Sequence, residues 1–84
     1  MKIYKFFSPT CGPCKVLQHN IEKADIEVTP VDIFEEENIP LAEKYGVRNV
    51  PCLVMVDDNG KEIMKQAGIV TIEDLMYYWG NKTC

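Results

Sequence analysis

Apolar and polar positions change their period several times along this chain, and each change marks an element. Lys2 to Phe7, "KIYKFF", alternates and is rich in aromatic and β-branched residues, which predicts a strand. Ser8-Pro9-Thr10 breaks it. From Pro13 the period becomes helical: Cys14, Leu17, Ile21 and Ala24 recur at spacings of three and four and so share one face. Lys15, Gln18, Glu22 and Lys23 form the wet face, and Pro13 suits the first turn, where its missing N–H costs nothing. Ile26 to Ile33 predicts a second strand, with Pro30 as its weak point. A short helix follows over Ile39 to Tyr45, with Pro40 in its first turn and Gly46 at the position after its end. Pro51 to Asp57 is continuously apolar and reads as a buried strand. Asp58-Asn59-Gly60 is a turn signal, and Lys61 to Gln66 returns as the second arm of a hairpin. Thr71, with Asp74 three residues later, has the form of a helix N-cap, and the last helix points Leu75, Tyr78 and Trp79 inward.

Strand, helix, strand at the start is a βαβ unit, which implies a parallel pair with a right-handed crossover. The whole reads βα-β-α-ββα. That predicts an α/β fold with a four-stranded mixed sheet in the order second, first, third, fourth strand, flanked by three helices. Open α/β sheets place their sites at the carboxyl ends of central strands, and Ser8 to Cys14, "SPTCGPC", falls there.

Composition narrows the function classes. With 84 residues and a hydrophobic share of 46 %, the chain can close the core of one small domain, expected over residues 1–84. A net charge of −4 without a basic cluster argues against nucleic acid or an anionic membrane as partner. The amino-terminal stretch has no apolar segment with a small-residue cleavage site, and the longest apolar run, Cys52 to Val56, is far too short to cross a bilayer. A cytoplasmic, monomeric protein is the expectation.

The 4 cysteines are where the chemistry lies. A disulfide framework would need a secretory context. The closely spaced pair Cys11 and Cys14 points instead to redox or metal chemistry. Crosslinking so small a loop restrains the unfolded chain little. Zinc would want a second closely spaced pair, and His19 on the wet helix face is a poor ligand candidate. No metal and no organic cofactor is expected.

Four stretches carry a family resemblance over nearly the whole chain: "CGPCK" from Cys11 to Lys15, "KYGVRNVPC" from Lys44 to Cys52, "DDNGKEI" and "AGIVTIEDL". Together they resemble the thioredoxin superfamily, thioredoxin more than glutaredoxin, in a minimal form lacking the extra leading strand and helix. The resemblance implies a thiol–disulfide oxidoreductase that reduces protein disulfides. Cys11, at a helix N-terminus whose free N–H groups favour an anion, would be the nucleophile, and the more buried Cys14 would resolve the mixed disulfide. Pro51 would be the family's cis-proline facing the dithiol. Thr10, Gly12, Pro13, Val50, Pro51, Gly68 and Ile69 would line the substrate groove. Disulfide-bearing proteins would be the substrates, and thioredoxin reductase or glutathione the electron donor. Gly68-Ile69-Val70 lacks the Gly-Gly-x-Asp-Asp-like signature of glutathione binders, which favours the former. A thioredoxin-fold interaction subunit of a larger enzyme is the alternative from another class.

Three positions depart from the family pattern. Thr10 stands where thioredoxins usually carry Trp. Lys5 stands where they bury an aspartate that helps deprotonate the second cysteine. Its ammonium is expected to snorkel to solvent; the sharper expectation is that it tunes the Cys14 thiol, paired with Asp32. Cys52 follows the proline, where Thr is common, and is expected to be a small buried filler. Cys84 is expected to be an exposed thiol. Glu35 to Glu37 read as a solvated loop, and Phe6, Phe7, Tyr45, Tyr77, Tyr78 and Trp79 as core or near-core packing.

Overall fold

The computed structural model describes residues 1–80. Strand β1 (Lys2–Phe7) is followed by helix α1 (Gly12–Ala24) and strand β2 (Thr29–Asp32). A 3₁₀ turn (Glu36–Asn38) leads into helix α2 (Ile39–Lys44), then strands β3 (Cys52–Val56) and β4 (Glu62–Ala67). Helix α3 (Ile72–Asp74) continues as a π-helical turn over Leu75–Trp79. The sheet order is β2-β1-β3-β4, with β1 parallel to β2 and antiparallel to β3, as the alternation and the crossover rule predict.

Two apolar clusters sandwich the sheet. One face packs Ile3, Leu53 and Met55 against Leu17 and Ile21 of α1 and against Val70, Leu75 and Trp79. The other packs Phe6, Val31, Cys52, Val54 and Val56 against Tyr45, just after α2. Strand β3 is buried along its whole length, which explains its unbroken apolar run. Strand β4 lies at the edge and is exposed at every position except half-buried Met64, which is why its sequence is mixed.

Local signals set the boundaries. Thr71 Oγ1 accepts from the Asp74 N–H at 3.1 Å and caps α3. Gly46 takes the left-handed φ of 65° just past α2, as its place in the sequence predicts. Asp57 Oδ1 accepts from the N–H groups of Asn59 and Lys61, both at 2.9 Å, and ties the β3–β4 turn. These bonds, with the Lys61 N–H foremost, hold the Asp57 carboxyl below its ordinary range.

Three expectations need correction. The second strand is shorter than predicted: Ile26 and Val28 pack against the core outside any strand. Tyr78 does not point inward and Tyr77 is 74 % exposed; the two rings stack edge to face at 4.7 Å on the surface. The winding over Leu75–Trp79 is wider than α, so Leu75 and Trp79 alone turn to the core there. Phe7 is half-buried, with Lys5 over its ring. Glu35 to Glu37 are solvated as expected, although Glu36 and Glu37 are wound into the 3₁₀ turn. Cys84 lies outside the described residues.

Candidate active site

The site forms because three chain segments leave or enter the sheet at one end. β1 runs out at Phe7, and Ser8 to Cys11 carry the chain to α1. In the antiparallel register Phe6 lies opposite Cys52, so Pro51 enters β3 at this same end. Cys52 also lies opposite Ala67, so Gly68 leaves β4 there too. The Gly68 N–H donates to the Pro51 carbonyl at 2.8 Å, locking the second and third segments together. Gly68 has φ of 90°, a conformation that side-chain-bearing residues rarely adopt. Asn20 of α1 donates to the Val70 carbonyl at 3.0 Å and ties the helix to the same loop.

Cys11 is the N-cap of α1, and its Sγ accepts from the Cys14 N–H at 3.1 Å. Gly12 and Pro13 begin the helix; proline there removes no needed donor. Cys11 and Cys14 form a disulfide, with Cα atoms 5.2 Å apart. Their surroundings differ. Cys11 is half-buried, whereas Cys14 is 5 % exposed because it starts the apolar stripe that continues through Leu17 and Ile21.

Around the pair, Thr10, Gly12 and Pro13 are exposed beside Cys11. Val50 is half-buried, Pro51 is buried, and the bond between them is cis. Gly68 is half-buried and Ile69 exposed, on the loop bonded to Pro51. A cleft of about 440 Å³ beside the disulfide is lined by Lys5, Phe7, Cys11, Cys14, Gln18 and Glu22, among others. A larger cleft of about 590 Å³ lies at the other end of the sheet, near Lys2, Thr29 and Met55, and contains neither cysteine.

Lys5 departs from the expected escape to solvent and from the expected pairing with Asp32. It does not snorkel to solvent: it is 8 % exposed, because the β1 alternation puts it with Ile3 on the face covered by α1. Nor does it pair with Asp32, whose Oδ1 accepts from the Phe34 N–H at 2.9 Å. Lys5 Nζ donates to Gln18 Oε1 and lies 4.9 Å from the centre of the Phe7 ring. Gln18 in turn donates to Glu22 Oε2 at 3.0 Å. Burial pushes the Lys5 pKa down, and the nearby Glu22 carboxylate partly offsets this. Gln18 and Glu22 read from sequence only as wet-face residues. Their signal was the four-residue spacing from Cys14, which places all three along one side of the helix.

Cys52 is buried, and burial pushes its thiol pKa up; Lys65 opposes this and Glu62 adds to it. Among the described residues, no group of three or more His, Cys, Asp or Glu side chains is disposed to hold a metal ion, and no helix is long and apolar enough to cross a membrane.

Residues 1–79 match the thioredoxin family model. The SPbeta prophage-derived thioredoxin-like protein YosR of Bacillus subtilis is 31 % identical over 68 residues, which are 81 % of this chain and 82 % of that protein. A protein disulfide-isomerase of Hordeum vulgare is 34 % identical over 85 aligned residues, 90 % of this chain but only 17 % of the isomerase's length. Among solved structures, a mutant thioredoxin from Halobacterium salinarum superposes with a TM-score of 0.75 at 32 % identity, covering 89 % of this chain and 67 % of that one. With a helix-capping cysteine pair on this four-stranded sheet, the chain belongs to the thioredoxin family and is a protein-disulfide oxidoreductase.

Proposed function

We propose that the protein works in the reducing direction by dithiol exchange, with Cys11 as nucleophile and Cys14 as resolving thiol. The observation that supports this most directly is the asymmetry of the pair: Cys11 is half-buried and receives the Cys14 N–H, while Cys14 is buried behind it. In the reduced protein the Cys11 thiolate attacks one sulfur of a substrate disulfide. A Cys11–substrate bond forms, and the other substrate sulfur leaves as a thiolate and is protonated. Cys14 then gives up its proton and attacks Cys11 Sγ. The second substrate sulfur leaves, and two electrons have passed from the dithiol to the substrate.

In this reading Thr10, Gly12, Pro13, Val50, Pro51, Gly68 and Ile69 form the docking surface, and the Val50 backbone pairs with an extended substrate segment. The acting form is proposed to be a monomer. A reducing role suits the cytoplasm. Thioredoxin reductase is the proposed donor, because Gly68-Ile69-Val70 carries no acidic pair to receive glutathione.

The test is reduction of insulin disulfides with NADPH and thioredoxin reductase, and separately with glutathione and its reductase. Turnover with the first system supports this reading. Turnover with glutathione alone replaces the donor, and turnover with neither refutes catalysis in favour of an interaction subunit. A Cys14→Ser variant is expected to accumulate a Cys11-linked mixed disulfide with its substrate, visible as an adduct by mass spectrometry. Absence of any adduct would refute the assigned roles.

A further inference from the structure

Lys5 is a buried cation that makes no ion pair among the described residues. Its β1 neighbours across the sheet are Pro30 on β2 and Leu53 on β3, neither of them charged. Its hydrogen-bond acceptor is the neutral amide oxygen of Gln18, and its other close group is the face of Phe7. The charged and titratable groups that share its cleft come from α1 and its cap: Glu22, Lys15, His19, Cys14 and Cys11. Glu22 is exposed and bonded to the far end of the Gln18 amide. A buried charge without a close counter-ion is costly and persists where something else uses it.

Gln18 supplies the geometry. It lies one turn beyond Cys14 on the same side of α1, where residues four apart are neighbours. By holding Lys5 Nζ, it fixes the ammonium in the cleft that Cys14 lines. In the disulfide state Cys14 carries no charge. After Cys11 has attacked a substrate, Cys14 is a free thiol that must ionise in a buried place before it can resolve the mixed disulfide.

We propose that Lys5, held by Gln18, is a positioning residue for the second half-reaction, its ammonium serving as the counter-ion of the Cys14 thiolate. The inference rests on the dithiol reading above. The Cys14 proton leaves to solvent, and the thiolate attacks Cys11 Sγ. That bond forms as the Cys11–substrate bond breaks, and the substrate leaves as a thiolate. The ammonium supplies charge and takes no proton. An opposite charge close by moves an ionisation by one unit or more, so the thiolate population at neutrality falls about tenfold without it. Burial depresses the Lys5 pKa and the Glu22 carboxylate offsets this only in part, which agrees with an ammonium that a closer anion would stabilise.

The experiment separates the two half-reactions. Reduced protein, in a Cys84→Ser background, is mixed with excess 5,5′-dithiobis(2-nitrobenzoate) in a stopped-flow instrument. Cys11 attack releases the first coloured thiolate, and Cys14 resolution releases the second. Lys5→Met is expected to leave the first phase unchanged, to slow the second about tenfold near neutrality, and to move its pH profile upward. Lys5→Arg, which keeps the charge, is expected to restore most of the second phase. Thermal unfolding checks that each variant folds. Independently of any variant, the Lys5 Nζ titration followed by NMR is expected to move up on reduction of the disulfide. An unchanged second phase in Lys5→Met overturns the proposal, as does an equally slow Lys5→Arg or a Lys5 titration indifferent to redox state. Loss of the first phase in the parent protein would instead refute the dithiol reading itself.

Discussion

Leu17 and Val16 are adjacent on α1, yet replacing each by alanine should affect stability very differently. Leu17 is 0 % exposed and lies in the cluster formed with Ile3, Ile21, Leu53, Leu75 and Trp79, whereas Val16 is 48 % exposed. Leu17→Ala removes about three carbon groups from a dry site, at roughly 0.8 kcal/mol each. The cavity left behind brings the expected cost to about 3–4 kcal/mol. A chain of 84 residues has only about 4–13 kcal/mol to lose. The thermal midpoint should therefore fall by at least about 12 °C. Val16→Ala gives up little packing and gains roughly 0.5 kcal/mol of helix propensity, so its midpoint should hold or rise. Urea unfolding of the oxidised protein is the assay, with an unchanged slope required so that midpoints report stability. A Leu17→Ala cost below about 1 kcal/mol would refute the assigned helix phase and, with it, the burial of Cys14 on the same stripe.

Other outcomes follow from single contacts. Thr71→Ala removes the cap of α3 and should cost about 1 kcal/mol in the same urea assay, while Thr71→Ser should cost much less. The Asp57 carboxyl titrates lower in the folded protein than in the unfolded chain. Its contribution is therefore present above the unfolded pKa and is lost as pH falls through the folded one. Asp57→Ala should accordingly flatten the fall of the unfolding midpoint below about pH 4, and an unaltered acid limb would count against the turn bonds. In folded, reduced protein the buried Cys52 thiol should be alkylated by iodoacetamide far more slowly than Cys11, and as readily as any cysteine once unfolded; site-resolved mass spectrometry distinguishes the two.

Much of the architecture was legible because period and punctuation agree along most of the chain. Alternation in "KIYKFF", the three-and-four spacing from Cys14 to Ala24, the continuous run of β3 and the Thr71 cap each predict what the backbone does. Misreadings arose where tertiary context overrides a local rule. Tyr78 fits an α-helical stripe, but the last turn winds as π and turns it outward. Lys5 sits on the inward face of a central strand, where the alternation alone demands burial. Lysine chemistry argues for escape to solvent, and α1 blocks the way. The cysteine pair could be read because its partners are three residues apart. The network of Lys5, Gln18 and Glu22 could not, since it joins a strand to a helix across a connection whose geometry no local pattern fixes.

The difference between the two sulfurs has the same origin as the core. The apolar stripe of α1 must face the sheet to bury Leu17 and Ile21, and Cys14 is its first member, so covering the sheet also covers that sulfur. Cys11 escapes because it is the cap: its backbone is extended, with φ of −87° and ψ of 112°, and its side chain turns back to accept the Cys14 N–H instead of joining the stripe. One helix phase thus leaves one sulfur half-exposed at the helix N-terminus, accepting the Cys14 N–H, and the other beneath the helix, lining the cleft that holds Lys5. Shifting the pair by one position along the helix would take the second cysteine off the stripe. The proposed division of labour between nucleophile and resolving thiol therefore depends on the register of this helix, beyond the mere presence of two cysteines.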